Sequence, residues 1–170
     1  MNSREMVLGA IITALTAIGA QLSVFLGEVP FTFQLVGVAL AGMALLPRAA
    51  LMSMLAYIVL GLVGVPVFAG LRGGPGIVLG PTGGFILSMP LAAVAVSLLT
   101  RRLGADTKAR ILAGMVTIPV MYFFGSLQMS LILGWRWDVA MVATLQFFVF
   151  DVVKVLLAAT MARSMRLMLR

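Results

Sequence analysis

Residues 6–27 read MVLGAIITALTAIGAQLSVFLG, a run of 22 residues without a single charged side chain. At 1.5 Å per residue, a helix of this length spans the roughly 30 Å hydrocarbon core of a bilayer. Five further apolar runs follow along the chain: 29–47, 49–71, 73–100, 111–135 and 139–162. The last of them is interrupted only by Asp151 and Lys154. The six runs predict an all-α integral membrane protein with six transmembrane helices.

The composition of the whole chain agrees with this class of protein. Hydrophobic residues make up 62% of the 170 residues and charged residues only 10%, against about 25% charged in a typical soluble domain. We therefore predict a single membrane domain over residues 1–170. The chain has no Cys and no His, which removes disulfides, thiol nucleophiles, imidazole bases and the usual ligands of zinc, haem and iron–sulfur clusters. No catalytic residue, metal site or cofactor is predicted.

The distribution of the basic residues predicts the orientation of the chain in the membrane. Six spans place both termini, loop 2–3 and loop 4–5 on one side. That side collects nine cations: Arg4, Arg48, Arg101, Arg102, Lys108, Arg110, Arg163, Arg166 and Arg170. The opposite loops hold Arg72 and Arg136, balanced by Glu28 and Asp138. By the positive-inside rule both termini are cytoplasmic, and the net charge of +7 reflects topology rather than a nucleic-acid surface.

A glycine-rich segment separates the third and fourth predicted helices on the outer side. Residues 66–85 read PVFAGLRGGPGIVLGPTGGF and contain seven of the 18 glycines. We expect a structured outer loop that folds over a binding cavity. The alternative is a surface turn that only connects two helices. The fourth helix is expected to begin near residue 83. The segment fits neither phosphate-binding pattern, because Gly80 is followed by Pro81-Thr82 and Gly74-x-Gly76 lacks its third glycine.

Two charges in the sixth predicted helix form the strongest candidate site. Asp151 and Lys154 are three residues apart and therefore share one helix face, and each charge costs roughly 2.5–3.5 kcal/mol near mid-membrane. We expect them to contact a ligand; the alternative is an ion pair that only helps the helix to pack. Gln34 is a further polar candidate. Ala10 and Ala14 form a small-xxx-small motif that permits close helix approach on helix 1.

Four segments resemble one known family: PFTFQ at 30–34, GLVGVPVFAG at 61–70, GPTGGF at 80–85 and DVVK at 151–154. With these segments at this spacing, the chain resembles the BioY family, the biotin-binding substrate (S) components of energy-coupling factor (ECF) transporters. The resemblance covers nearly the whole chain and is weakest over predicted helix 5. The chain departs from the family pattern at LPRAA (46–50), where relatives often have glycines.

The resemblance implies a six-helix S component in a bacterial cytoplasmic membrane. Such a protein captures biotin outside the cell and releases it inside, driven by a partner transmembrane coupling protein and two ATPases, and is itself not an enzyme. Ala10 and Ala14 match the small-residue surface on which the coupling protein docks. The alternatives are an S component for another vitamin and a solitary biotin transporter. A membrane enzyme lacks a cluster of catalytic groups here, and a channel lacks a repeated polar stripe.

Biotin would be the transported ligand and not a cofactor. Its ureido ring carries two N–H donors and one carbonyl acceptor, so that an ionised Asp151 can accept from an N–H and Lys154 can donate to an oxygen. Apolar walls suit the remainder of the ligand. The predicted substrate-binding set is Asp151, Lys154, Phe68, Gly70, Tyr57, Gln34, Gly83 and Gly84. The sequence leaves open which polar end of biotin meets which residue.

Overall fold

The structure, a computed structural model, describes residues 3–26, 29–104 and 106–168. Within these ranges the helices are α1 (Ser3–Gln21), α2 (Gln34–Ala44), α3 (Pro47–Leu62), α4 (Pro75–Val78), α5 (Gly83–Leu103), α6 (Thr107–Gly114), α7 (Thr117–Leu133), α8 (Trp137–Leu145) and α9 (Phe148–Met168). One antiparallel hairpin pairs β1 (Ser23–Leu26) with β2 (Val29–Thr32). The charges assigned to Glu28 and Arg170, and the side chain of Arg166, lie outside the described part of the chain.

The lengths and apolar character of the helices define a multi-pass membrane protein. Three segments of the described chain are long and apolar enough to cross a bilayer: Ser3–Gln21, Gly83–Leu103 and Thr107–Leu133. Helices α8 and α9 together reach the same length but are bent by 55°. Helices α2 and α3 are apolar but shorter. The predicted membrane class is confirmed, whereas six complete helical crossings are not seen directly.

The first correction to the all-α prediction is the hairpin. The sequence predicts helix as far as residue 27 and again from residue 29, but α1 ends at Gln21 and the chain turns into two paired strands. Ser23 pairs with Thr32 and Phe25 with Pro30. Apolar runs rich in β-branched and aromatic residues suit strands as well as helices, and hydropathy alone does not separate the two.

The second correction concerns the last apolar run, predicted as one helix over residues 139–162. The chain breaks after α8, and α9 starts in a new direction. Phe147 donates its backbone N–H to Thr144 at 3.1 Å and accepts from the N–H of Asp151 at 2.9 Å. Residues 145–148 read LQFF, so neither Pro nor Gly marks the break, and a break without either residue leaves no composition signal. The bend places Asp151 in the first turn of α9.

Helix α2 forms the centre of the helix bundle. Ten of its eleven residues are buried, and it packs against α1, α5 and α9. Small residues along α2 allow this close packing; Gly37 lies against Thr16 of α1, and Gly42 lies against Val96 of α5. By contrast, α1 leaves Ala10 and Ala14 exposed on its outer face. The N-terminal end of α2, which carries Gln34, points towards the hairpin and the glycine-rich loop.

Candidate functional site

A cavity opens beneath the hairpin and the glycine-rich loop. It contains about 750 Å³ of empty space, counting the open solvent at its mouth. Its walls come from β2, the start of α2, the loop, α5, α7 and the bend between α8 and α9. Most of the lining side chains are apolar, and the polar ones include two hydrogen-bonded groups, one around Asp151 and the other around Gln34.

The first polar group is a buried ion pair. Lys154 Nζ donates to Asp151 Oδ1 at 2.6 Å, and the two side chains are only 5% and 6% exposed. The hydroxyl of Tyr122, on α7, donates to the other carboxylate oxygen, Oδ2, at 2.5 Å. Lys154 Nζ also lies 3.7 Å from the centroid of the Phe31 ring, on β2. The predicted pair therefore lines the cavity and has partners from two other elements, α7 and β2.

The bend of the last span explains how a carboxylate is tolerated at this depth. Asp151 lies in the first turn of α9, where the backbone N–H groups give the helix end a partial positive charge that favours an anion. Broken helices in membrane transporters use their interior ends in the same way. A straight helix over residues 139–162 would place Asp151 in a mid-helix turn without this stabilisation.

The second polar group is neutral. Gln34 Nε2 donates to the Tyr57 hydroxyl at 2.6 Å, and that hydroxyl donates to the carbonyl of Val67 at 2.9 Å. Thr32, at the end of β2, donates its hydroxyl to Gln34 Oε1 at 2.8 Å. Gln34 lines the cavity, whereas Tyr57 is fully buried behind it and packs edge-on against Phe68 with ring centroids 5.6 Å apart. This network connects the hairpin, α2, α3 and the loop.

Phe68 is the part of the loop that reaches deepest into the protein. It lines the cavity, is 1% exposed, and its ring tip occupies the space in which a side chain at Gly61 would lie. Gly70 has a positive φ of 72° and is not among the lining residues. Next to it, the backbone N–H of Leu71 donates to Gln21 Oε1 at 2.8 Å.

Gly83 and Gly84 also lie outside the cavity lining. They begin α5 and are buried. Gly84 lies directly against the backbone carbonyl of Phe124 on α7, where no side chain would fit. These glycines position their neighbours Thr82 and Phe85, which do line the cavity. Of the eight predicted binding residues, four line the cavity: Asp151, Lys154, Phe68 and Gln34.

Three residues of the site were missed by the sequence reading. Tyr122 lies in a long apolar run, where the signal is that a Tyr deep in a span needs a partner for its hydroxyl. Phe31 lies in the family segment PFTFQ, but the sequence gives its ring no role. Arg72 was assigned only to the outer loop charges. It is exposed, lines the cavity, donates from Nε to the Ala69 carbonyl at 3.0 Å, and lies 5.2 Å from the Phe25 ring centroid. Arg72 therefore adds a cation at the rim, above the buried one.

The cavity holds a buried ion pair, an exposed cation and uncharged polar side chains. Across residues 3–26, 29–104 and 106–168, no cluster of three or more His, Cys, Asp or Glu residues could hold a metal ion. The cavity instead combines a buried acceptor, a buried donor and apolar walls. Fold and site together define a small multi-pass membrane protein with a cavity for a polar organic solute.

Comparison with known proteins identifies the family. The model of the BioY family matches residues 1–170, and the chain belongs to that family. It is 37% identical over 166 residues to the probable biotin transporter BioY of Pyrococcus horikoshii, covering 98% of each chain. It is 31% identical over 164 residues to the biotin transporter BioY of Thermotoga maritima, covering 96% of each. The resemblance inferred from the four sequence segments is thereby confirmed.

A solved structure has the same fold. The crystal structure of the S-component for biotin from an ECF-type ABC transporter superimposes with a TM-score of 0.91. The match covers 98% of this chain and 94% of that one, at 23% sequence identity. At this identity the match shows the overall fold of the chain, which is that of an S-component.

Proposed function

We propose that this protein is the biotin-capture subunit of a vitamin uptake transporter. The observation that carries the proposal is the unused hydrogen-bonding capacity of the buried ion pair. The Asp151 carboxylate has about four lone-pair positions, and the Lys154 ammonium has three N–H groups. Among the described residues, the carboxylate accepts from Lys154 and Tyr122, and the ammonium donates to Asp151. A ureido ring, with two donors and one acceptor, is complementary to the positions that remain.

The two cations of the cavity favour one orientation of biotin. The ureido ring lies at the buried end, against Asp151 and Lys154, and the valerate carboxylate reaches Arg72 at the rim, because a guanidinium binds a carboxylate through two parallel hydrogen bonds. Phe68 and Met89, both lining the cavity, provide apolar walls for the bicyclic ring and the chain. The names of the relatives, biotin transporters, agree with this ligand.

Equilibrium binding to the purified protein tests the proposal. Titration calorimetry with biotin, desthiobiotin, thiamine and riboflavin should show tight binding of biotin and weaker binding of desthiobiotin, which keeps the ureido and carboxylate groups. Binding of thiamine or riboflavin without binding of biotin would replace this function by transport of another vitamin. The variant Arg72→Gln tests the proposed orientation of biotin. It should weaken the binding of biotin about tenfold. The affinity for biotin methyl ester should stay nearly unchanged, because the carboxylate of this analogue is blocked.

The proposed topology has six crossings with both termini in the cytoplasm. Four of these crossings are the three long segments and the bent α8–α9 pair. The other two are the shorter helices α2 and α3. Helix α2 has 11 residues, about 16 Å at 1.5 Å per residue, so the hairpin completes its crossing. Reporter fusions after Arg102 should behave as cytoplasmic, and fusions near Arg136 as external. The opposite pattern would overturn this topology.

Energy for transport comes from partner subunits in this proposal. Ala10 and Ala14 are exposed on one face of α1, which suits close docking of a transmembrane coupling protein. ATP hydrolysis belongs to its ATPases; this chain is no enzyme, needs no cofactor, and carries biotin as cargo. Ala10→Trp and Ala14→Trp should retain biotin binding but block uptake, while Leu131→Trp, at an exposed position of α7, should leave both intact. Equal loss of binding and uptake at residues 10 and 14 would exclude the docking role.

A further inference from the structure

The hydroxyl of Tyr122 has a specific position in the cavity. It donates to Asp151 Oδ2 at 2.5 Å, while Lys154 Nζ donates to Oδ1 at 2.6 Å. Each carboxylate oxygen is therefore held by a different partner. Lys154 belongs to the same helix as Asp151, three residues further on, but Tyr122 comes from α7. The carboxylate is thus fixed relative to two helices.

Packing alone does not explain a tyrosine at this position. Tyr122 is 6% exposed, and burying a hydroxyl has a cost that phenylalanine of nearly the same shape would avoid. Among the described residues, the hydrogen-bond partner of this hydroxyl is Asp151. The interaction that offsets the cost of burying this hydroxyl is therefore its hydrogen bond to the Asp151 carboxylate.

We infer that Tyr122 is a positioning residue, which holds the Asp151 carboxylate in the orientation that accepts one ureido N–H group of the ligand while Lys154 donates to the adjacent ureido carbonyl. This inference rests on the proposed function. In the five-membered ureido ring each N–H lies next to the carbonyl, so a carboxylate and an ammonium held side by side can bind an N–H and the carbonyl at the same time. Without the hydroxyl, the carboxylate is tied only to Lys154 and can rotate, so that its lone pair faces the ureido N–H in only part of the population. Tyr122 acts through Asp151 and needs no contact of its own with biotin.

The test is a double-mutant cycle read out by biotin affinity. Tyr122→Phe should weaken biotin binding about tenfold, the loss of one hydrogen bond to a charged group. In an Asp151→Asn background the same change should cost about threefold or less, because a neutral amide offers one acceptor oxygen and a weaker bond. Ser97→Ala is the control. It also removes a buried hydroxyl, one that donates to the Leu45 carbonyl, but Ser97 does not line the cavity. The affinity for biotin should therefore change by no more than about twofold.

Infrared difference spectra on biotin binding provide the second measurement. The carboxylate band that disappears in Asp151→Asn should be shifted in Tyr122→Phe and unchanged in Ser97→Ala. An equal cost of Tyr122→Phe in both backgrounds, or an unshifted band, would overturn the inference while leaving biotin binding established. Failure of the unmodified protein to bind biotin would instead overturn the proposed function.

Discussion

Two ion pairs, one on each half of the bent last span, have the same chemistry in opposite surroundings. Arg136 and Asp138, at the start of α8, are 3.0 Å apart with side chains 84% and 62% exposed. Lys154 and Asp151, in α9, are 2.6 Å apart with side chains 5% and 6% exposed. Both are local contacts within a few residues of the chain. They differ mainly in their access to water.

This difference determines what each pair can do. An exposed pair keeps most of its hydration and contributes about 0–1 kcal/mol. A buried pair has lost its hydration, so that removal of one partner leaves an uncompensated charge and costs about 3–5 kcal/mol. Because apolar residues would cross the membrane at lower cost, we interpret the buried pair as serving the ligand in the proposed function. Four changes, taken from the largest expected effect to the smallest, test this contrast.

The largest effect is expected from Asp151→Asn. The substitution keeps the shape of the side chain but removes its charge and one acceptor oxygen, and it should weaken biotin binding roughly 30-fold or more while the protein remains folded. Titration calorimetry gives the affinity, and thermal unfolding in the same detergent gives the stability. Lys154→Met, which leaves a buried carboxylate unpaired, should in addition lower the free energy of unfolding by about 3–5 kcal/mol.

The double variant Asp151→Asn with Lys154→Met separates the two explanations of the pair. If the pair serves the ligand, the double variant should regain stability but not affinity, because the buried charge is gone and so are the binding groups. Near-native biotin affinity in the double variant would mean that the pair is structural, and would remove both residues from the site.

The second change, Phe31→Leu, tests whether the hairpin stabilises the buried cation. The Phe31 ring faces Lys154 Nζ at 3.7 Å, and a desolvated cation–π contact contributes about 2 kcal/mol. We expect biotin affinity to fall about tenfold, since leucine still fills much of the space. Phe150→Leu is the matched control; Phe150 packs on Phe31 with centroids 5.4 Å apart but is 58% exposed. Equal losses in both variants would assign the effect to aromatic packing and not to the cation.

The third change removes two buried hydrogen bonds between uncharged groups. Tyr57→Phe leaves Gln34 Nε2 and the Val67 carbonyl without this hydroxyl, and should lower the free energy of unfolding by about 1–3 kcal/mol. Because Tyr57 lies behind the cavity wall, biotin affinity should fall only about threefold. Gln146→Leu, an exposed residue bonded to the Ala143 carbonyl of its own chain segment, is the control and should change neither quantity. A loss as large as that of Asp151→Asn would place Tyr57 in direct contact with the ligand.

The sequence predicts the parts of this site that depend on composition and on local spacing. Apolar runs reveal the membrane class, and two charges in an apolar helix reveal Asp151 and Lys154, because a charge in the membrane is conspicuous. It does not predict contacts between distant segments. The contacts of Tyr122 and Phe31 with the ion pair arise only when folding brings α7 and β2 to α9.

Two elements of the fold were predicted incorrectly for the same reason. The β1–β2 hairpin and the break before α9 lie within apolar runs that satisfy a helix pattern. Hydropathy records how apolar a segment is, and not where its backbone turns. The family segments predict a functional loop. They do not predict that Gly83 and Gly84 serve backbone packing, because that role depends on contacts with α7.

The smallest effect is expected from Arg136→Ala. The guanidinium donates to both oxygens of Asp138, at 3.1 and 3.0 Å, which is a better geometry than the single bond of the buried pair. If geometry determined the contribution, this substitution would be the more damaging one. Because both side chains remain in water, we expect a change in the free energy of unfolding below about 1 kcal/mol and biotin affinity within about twofold. Thermal unfolding at low and high salt measures the stability, and calorimetry measures the affinity. A loss of stability comparable to that of Lys154→Met would show that access to water does not determine how much each pair contributes to stability. It would also show that Arg136 has a partner beyond Asp138.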